Sequence, residues 1–175
     1  MATVFKVEFE GFKETEELFR QITNDFGAKD ASKIMRNAVR KSMKPVLSVA
    51  RTLTPKDTGA LAASLQVETR TPSRKDMRSK YVYPGDVVIG AVTTASGKQL
   101  AKRTFKNIKT GEKQKGIESD ARATAMEFGT ANVAAKPYLR PALERSASSV
   151  TASLGDSLKF SLEKYKAKQA KKVTT

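Results

Sequence analysis

Three carboxylates, Asp57, Glu127 and Glu144, lie in the most distinctive short segments of the chain and are its candidates for acid–base chemistry. The sequence contains no histidine and no cysteine, which excludes Ser–His and Cys–His nucleophiles, histidine bases and disulfides. No group of acidic residues has metal-site spacing, and no glycine-rich segment matches a phosphate-binding loop. We therefore expect a protein that is not an enzyme and that uses no metal or cofactor.

The excess of positive charge is concentrated in two segments of the sequence. The formal net charge is +15, and residues 70–115 carry twelve Lys and Arg against three acidic residues. Residues 159–172 carry six Lys against one Glu, and the rest of the chain sums to +1. Such segments indicate contact with nucleic acid or an acidic protein surface, unless they are simply solvated arms. The candidate contacts with a polyanion or a partner are Lys98, Lys102, Arg103, Lys106, Lys109, Lys113 and Lys115.

These candidate residues must be positioned by a mixed set of strands and helices. Alternation of apolar and polar residues predicts strands over residues 4–9 and 65–69. A continuous apolar run around Val87–Ile89 predicts a further strand that is buried on both faces. Gly90, at the end of that run, indicates a close approach of the backbone or a bulge.

Helical spacing of apolar residues predicts most of the remaining structure. One helix is expected over residues 13–26, where Gly27 stops it, and a second over about 30–53, kinked or split near Pro45. A short helix is expected to end at Gly129. The segment "KPYLRPALE" opens the last helix, in which Pro141 occupies the first turn. This helix is expected to fray into the lysine-rich C-terminus.

Residues 93–118 are polar and basic, and they predict a long, mobile loop or loose hairpin. Its tip is expected at Thr110-Gly111, with Phe105 and Ile108 as its only anchors. Together with the scarcity of strands, this indicates an α+β fold: a small, mainly antiparallel sheet against two or three helices, with a long basic loop and a long C-terminal helix. We expect one domain over residues 1–160 and a lysine-rich tail over 161–175.

The sequence also bears on location. No stretch approaches the roughly 18 apolar residues that a membrane span needs. The N-terminus carries acidic residues from Glu8 onward and does not resemble a secretory signal. We therefore expect a soluble protein that is made in the cytoplasm and has no membrane partner.

Three short segments stand out: "TPKDTGALAASL" at 54–65, "AMEFGT" at 125–130 and "KPYLRPALE" at 136–144. Each one alone has a structural explanation, namely a helix stop with a turn, a glycine-capped helix end and a helix start. In this order and at these spacings they resemble the tail-completion and tail-component proteins of siphophages, the class that includes the lambda-type minor tail protein Z. The matching residues are Pro55, Asp57, Thr58, Gly59, Leu61, Ser64, Glu127, Phe128, Gly129, Thr130, Pro137, Tyr138, Leu139, Arg140, Pro141, Ala142 and Leu143.

The resemblance covers roughly residues 10–160, and it departs from the family at 93–118, which is longer and more basic than such proteins need. It implies a structural virion protein of the phage neck, assembled in the host cytoplasm as a subunit of a ring, expected to be hexameric, at the head-proximal end of the tail. Genomic DNA passes through such a ring. Its neighbours are a head connector or stopper and the tail terminator or tail tube proteins.

Two other functions stay open from the sequence. A tail terminator that caps the tail tube shares these motifs. A non-specific nucleic-acid-binding protein is indicated by the +15 charge, although aromatic residues make up only 7% of the chain and no helix-turn-helix is recognisable.

Two expectations concern individual parts of the motifs and the loop. Glu127 and Arg140 either form a salt bridge, within or between subunits, or each faces solvent. The basic loop and the lysine tail are expected to become ordered on docking to virion proteins or DNA. Deletion of residues 96–116 is therefore expected to leave a folded subunit that cannot join heads to tails.

Overall fold

The structure is a computed structural model that describes residues 12–78, 88–117 and 122–173. Its four strands form two separate two-stranded antiparallel sheets, β1 with β2 and β3 with β4. The mixture of helices with small antiparallel sheets confirms the α+β fold. The elements are α1 (Phe12–Ser42), α2 (Lys44–Leu53), α3 (Ala60–Ser64), β1 (Leu65–Arg70), β2 (Ile89–Thr94), α4 (Gly97–Leu100), β3 (Thr104–Lys106), β4 (Lys113–Lys115), α5 (Arg122–Phe128) and α6 (Leu139–Val173).

The chain divides into two compact units. Unit 1 comprises Met1–Met43, Glu68–Ala91 and Ser148–Thr175, and unit 2 comprises Lys44–Val67 and Val92–Ala147. All three segments that carry the family resemblance lie in unit 2, and so does the basic hairpin β3–β4. The predicted strand over residues 4–9 lies outside the described residues.

The core of unit 1 joins α1 to the C-terminal part of α6. Apolar residues of α1 recur at helical spacing and meet a stripe on α6 with a spacing of four residues, which puts each set on one face of its helix. The helix α6 continues to Val173, through the lysine-rich segment that was expected to fray. Within the described residues, no helix is long and apolar enough to cross a membrane. The core between α1 and α6 consists of Ile22, Ala31, Ile34, Ala38 and Leu158, with Met35, Leu154 and Leu162 packed against it.

Both predicted interruptions of the N-terminal helices are confirmed. Gly27 has φ 78° and ψ 158°, which breaks the helical path of α1. Met43 is a turn residue between α1 and α2, and Pro45 is the second residue of α2. Proline is tolerated at this position because the first N–H groups of a helix have no partner within it.

Strand β2 differs from its prediction in burial. It begins at Ile89, none of its six residues is buried, and Val87 of the predicted run lies outside the described residues. The expectation of a strand buried on both faces was therefore wrong for residues 89–94. Of the two alternatives for Gly90, the close approach is confirmed, because a Cβ placed there lies 2.5 Å from Cγ1 of Val39.

Replacing Gly90 by alanine is expected to lower the free energy of unfolding by about 1–3 kcal/mol, the usual cost of overpacking. Val39 is β-branched and lies in a helix, so its side chain has little rotamer freedom with which to move away. Urea denaturation measures the change. Gly155→Ala is the matched control, since its new Cβ meets nothing within 4 Å inside α6 and should stabilise by about 0.5–1 kcal/mol. Equal stability of Gly90→Ala and wild type would contradict the close approach.

A polar cluster follows β1 in unit 1. Asp76 accepts hydrogen bonds from both terminal nitrogens of the Arg70 guanidinium, that from Nη2 at a distance of 2.8 Å. It also accepts the backbone N–H of Ser73 at 2.7 Å. The Arg70 guanidinium, followed by Ser73, holds the pKa of the Asp76 carboxyl well below its usual range. The Arg70–Asp76 ion pair stabilises the fold above the ordinary pKa of a carboxyl, and this stabilisation is lost as the pH falls. The contribution is small because the pair is exposed.

Candidate functional site

The three candidate carboxylates have separate roles in unit 2. Glu127 is buried and bonds to backbone N–H groups, whereas Asp57 is exposed and forms an ion pair with Lys109. Glu144 is exposed on α6. Among the described residues, no group of three or more His, Cys, Asp or Glu side chains is placed to hold a metal ion.

Glu127 caps the N-terminus of the long helix α6. Its Oε2 accepts the backbone N–H of Tyr138 at 2.8 Å and that of Leu139 at 2.9 Å, and its Oε1 accepts that of Arg140 at 3.2 Å. The first N–H groups of a helix have no partner within it, and the helix dipole favours negative charge there. Bonds to an ionised acceptor are stronger than neutral ones. A buried side chain of the second motif therefore fixes the helix that the third motif begins.

This geometry corrects the expectation that Glu127 faces solvent, and a salt bridge between subunits stays a prediction. Arg140 contacts the Glu127 carboxylate through its backbone N–H, and Glu127 does not face solvent, because only 6% of its surface is exposed. One feature of the sequence pointed to this role. Lys136, Pro137 and Tyr138, which precede α6, offer no Ser, Thr, Asp or Asn side chain as a local N-cap, so an acceptor has to come from elsewhere in the chain.

Gly129 turns the chain back so that α6 can begin beside Glu127. Its φ of 76° is in the left-handed region, which confirms the predicted glycine end of α5. The N–H of Thr130 donates to the carbonyl of Val133 at 2.9 Å, and the N–H of Lys136 donates to the carbonyl of Met126 at 2.7 Å. The segment after α5 thus folds back onto its last turn, which brings Tyr138 to the Glu127 carboxylate.

The first motif forms a turn that packs against the tip of the basic hairpin. The N–H of Ile108 donates to the carbonyl of Thr58 at 3.0 Å, and the Ile108 side chain lies 3.2 Å from the position of a Cβ on Gly59. The hydroxyl of Thr58 accepts the N–H of Ala60 at 3.3 Å where α3 begins. Leu61 is buried.

The first and second motifs also meet. Met126, the neighbour of Glu127, lines one small cavity together with residues of the first motif. The motif residues that line this cavity are Pro55, Asp57, Thr58, Gly59 and Leu61. The three segments singled out in the sequence therefore form one connected part of unit 2.

The basic segment at 93–118 contains defined elements, the helix α4 and the hairpin β3–β4. The predicted tip is confirmed, because Lys106 pairs with Lys113 and Thr110-Gly111 lies between them. The prediction of its anchors was wrong in part: Phe105 packs on a buried cluster and Ile108, although 57% exposed, contacts the first motif, but they are not the only anchors. The residues of this cluster that were missed are Ala95, Leu100 and Ile117.

Arg103 is held by the protein itself, unlike the lysines around it. Its guanidinium donates to the carbonyl of Ala63 at 2.6 Å, to that of Leu65 at 3.3 Å and to Oε1 of Gln66 at 2.6 Å. It joins the α3–β1 segment to the start of the hairpin. We therefore assign it a structural role and remove it from the candidate polyanion contacts.

The predicted lysines fall into two groups. Lys109 pairs with Asp57 at the hairpin tip. The others are exposed: two lie on or directly after α4, and three lie on the strands of the hairpin. These five are Lys98, Lys102, Lys106, Lys113 and Lys115.

Comparison of the chain with protein-family models, curated proteins and solved structures found no match. The likeness to siphophage tail-completion proteins therefore depends on the three motifs alone and stays a prediction.

Proposed function

We propose that this chain is a structural, non-enzymatic assembly protein of a phage neck, which completes the head-proximal end of the tail and joins it to the head connector. Three motifs in the family order support the proposal. The observation that adds most weight is that Glu127 of the second motif caps the helix begun by Tyr138 and Leu139 of the third. Contacts between the motifs stabilise the fold of unit 2, which is a physical reason for the motifs to recur together in a family.

In this proposal the chain is a subunit of a hexameric ring in the virion. Its partners are the head connector or stopper on one side and tail terminator or tube proteins on the other, and genomic DNA passes through the ring. A tail terminator that caps the tube is the alternative within the same class, since it shares the motifs.

Deletion of residues 96–116 is not a suitable test of this function. The sequence alone led to the expectation that the deletion variant folds. However, the deletion removes Leu100, which is only 2% exposed, together with the three hydrogen bonds of Arg103. We now expect it to destabilise unit 2, so a loss of assembly would not report on the hairpin itself.

A nonsense allele of the gene in the phage that carries it tests the proposal directly. Negative-stain images of the lysate are expected to show filled heads and separate tails with an unfinished head-proximal end. Supplying the wild-type chain from a plasmid should restore joined particles. Normal virions in the absence of the chain would rule out the neck role, and heads without any tails would point to an earlier step of tail assembly.

A further inference from the structure

The hairpin β3–β4 places two lysines directly opposite each other. Its antiparallel register pairs Thr104 with Lys115, Phe105 with Gln114 and Lys106 with Lys113. Side chains that are directly opposite share a face of the sheet, and the face alternates along each strand. Lys106, Lys113 and Lys115 therefore project from one face, which we call the lysine face, and all three are exposed.

The orientation of the lysine face is fixed by the opposite side of the hairpin. Phe105 is turned the other way and packs on the buried cluster of Ala95, Leu100 and Ile117. Arg103, the residue before β3, is bonded to the carbonyls of Ala63 and Leu65. The hairpin is therefore attached to unit 2 by its apolar face, and the lysine face points outward.

The lysine face lowers the stability of the hairpin that carries it. Like charges directly opposite on a sheet destabilise the pair, and none of the six strand residues is acidic to compensate. The residue at each position of a folded protein usually favours the local structure there. Positions where the residue disfavours that structure are typical of functional sites. The Lys106–Lys113 pair thus indicates an anionic ligand that supplies the missing negative charge.

We propose that the lysine face binds the phosphates of duplex DNA without reading its sequence. A two-stranded ribbon has the dimensions that the major groove of DNA admits. Lysine acts as a point charge toward phosphate, whereas the planar side chains of Arg, Asn and Gln make geometrically specific, bidentate contacts with base edges. On this hairpin, Gln114 lies on the face of Phe105 and Arg103 is occupied by the protein, so the lysine face carries no such reader.

The residues of the hairpin favour duplex DNA as the partner over single-stranded nucleic acid and over an acidic protein. Single-stranded nucleic acid is bound on aromatic side chains that stack with bases, and the only aromatic residue of the two strands packs on the core. The cores of protein–protein interfaces are enriched in aromatic residues and depleted in lysine. This inference is based on the hairpin geometry and does not require the neck assignment. Within the proposed function, it identifies where the subunit contacts the genome.

The variant Lys113→Glu tests the proposal because stability and binding should change in opposite directions. It converts a like-charged cross-strand pair into an oppositely charged one, which should raise the Tm by about 1–4 °C. It also removes a phosphate contact, so affinity for a short mixed-sequence duplex should fall roughly tenfold at about 0.1 M salt. The slope of log affinity against log salt should become shallower by about 1.

The binding is measured on the full-length protein by fluorescence anisotropy between about 0.05 and about 0.2 M salt. Lys136→Glu is the matched control, because it changes the net charge equally at an exposed residue outside the hairpin. The proposal predicts a much smaller loss of affinity and an unchanged slope for this control.

Three results would overturn the proposal. One is wild-type protein that does not bind duplex DNA at the lower salt concentration. Another is an equal effect of Lys113→Glu and Lys136→Glu on affinity and slope. A third is tighter binding to polyglutamate or to single-stranded DNA than to the duplex at equal charge, which would assign the lysine face to those ligands. Because purified protein is used, failure here leaves the neck proposal untouched, and a failed assembly test leaves this result untouched.

Discussion

Replacing Glu127 by alanine is expected to lower the free energy of unfolding by about 3 kcal/mol. The carboxylate is buried and accepts three backbone N–H groups at the start of α6. Alanine leaves these donors without a partner, and the donor of Tyr138 is itself buried. The loss exceeds that of an ordinary N-cap because three bonds to one charged acceptor disappear together. For a chain of this length, the Tm should fall by about 6–12 °C.

Circular dichroism measures the melting temperature, and amide hydrogen exchange locates the change. Exchange should accelerate first at Tyr138, Leu139 and Arg140. Glu127→Gln keeps an acceptor and loses the charge, so we expect it to cost about 1 kcal/mol. Glu144→Gln removes an exposed carboxylate from the same helix and should change stability by less than about 0.5 kcal/mol. If Glu127→Ala were no more costly than Glu144→Gln, the capping role would be wrong.

Gly129→Ala is expected to have a similarly large effect, about 3 kcal/mol or more. A residue with a Cβ pays about 1–2 kcal/mol to adopt the left-handed conformation that Gly129 has at φ 76°. The new Cβ also lies 2.9 Å from the backbone N of Ala135 and 3.0 Å from the carbonyl O of Val133. These are backbone atoms, so relief of the contact requires the Thr130–Val133 bridge to move.

Gly111→Ala separates the two contributions. Gly111 has φ 74°, almost the same conformation, but a Cβ there meets nothing within 4 Å. This control should therefore pay the conformational cost alone, about 1–2 kcal/mol. The free energies of unfolding from chemical denaturation of both variants give the comparison. Equal losses would show that the close approach at Gly129 contributes nothing.

Local sequence signals were sufficient for the helix ends at Gly27, near Pro45 and at Gly129. Gly27 and Gly129 have the backbone angles that their positions predicted, and α1 ends just before Pro45. The close approach at Gly90 was one of two predicted alternatives, because a glycine within a strand marks either a bulge or a close contact with its backbone. By contrast, the burial of β2 was predicted wrongly, since a run of apolar residues does not specify how the strand packs.

The candidate site was harder to predict because its contacts join residues that are distant in sequence. Glu127 accepts a backbone N–H eleven residues later, next to the start of α6, and only the absence of a local N-cap hinted at this. Leu100 and Ile117 are single apolar residues within polar runs, so no periodicity identifies them as core. Arg103 looks like its lysine neighbours in sequence, but its planar set of donors suits several carbonyls at once.

In vitro complementation tests the central claim, that the chain joins phage heads to tails. Purified protein is added to a lysate of the nonsense allele, which contains heads and tails made without it, and infectious particles are counted. We expect wild-type protein to raise the titre by orders of magnitude and Gly129→Ala protein to raise it much less. A lysate that is fully infectious before the addition, or one that stays inactive although its heads and tails are complete, would contradict the neck assignment.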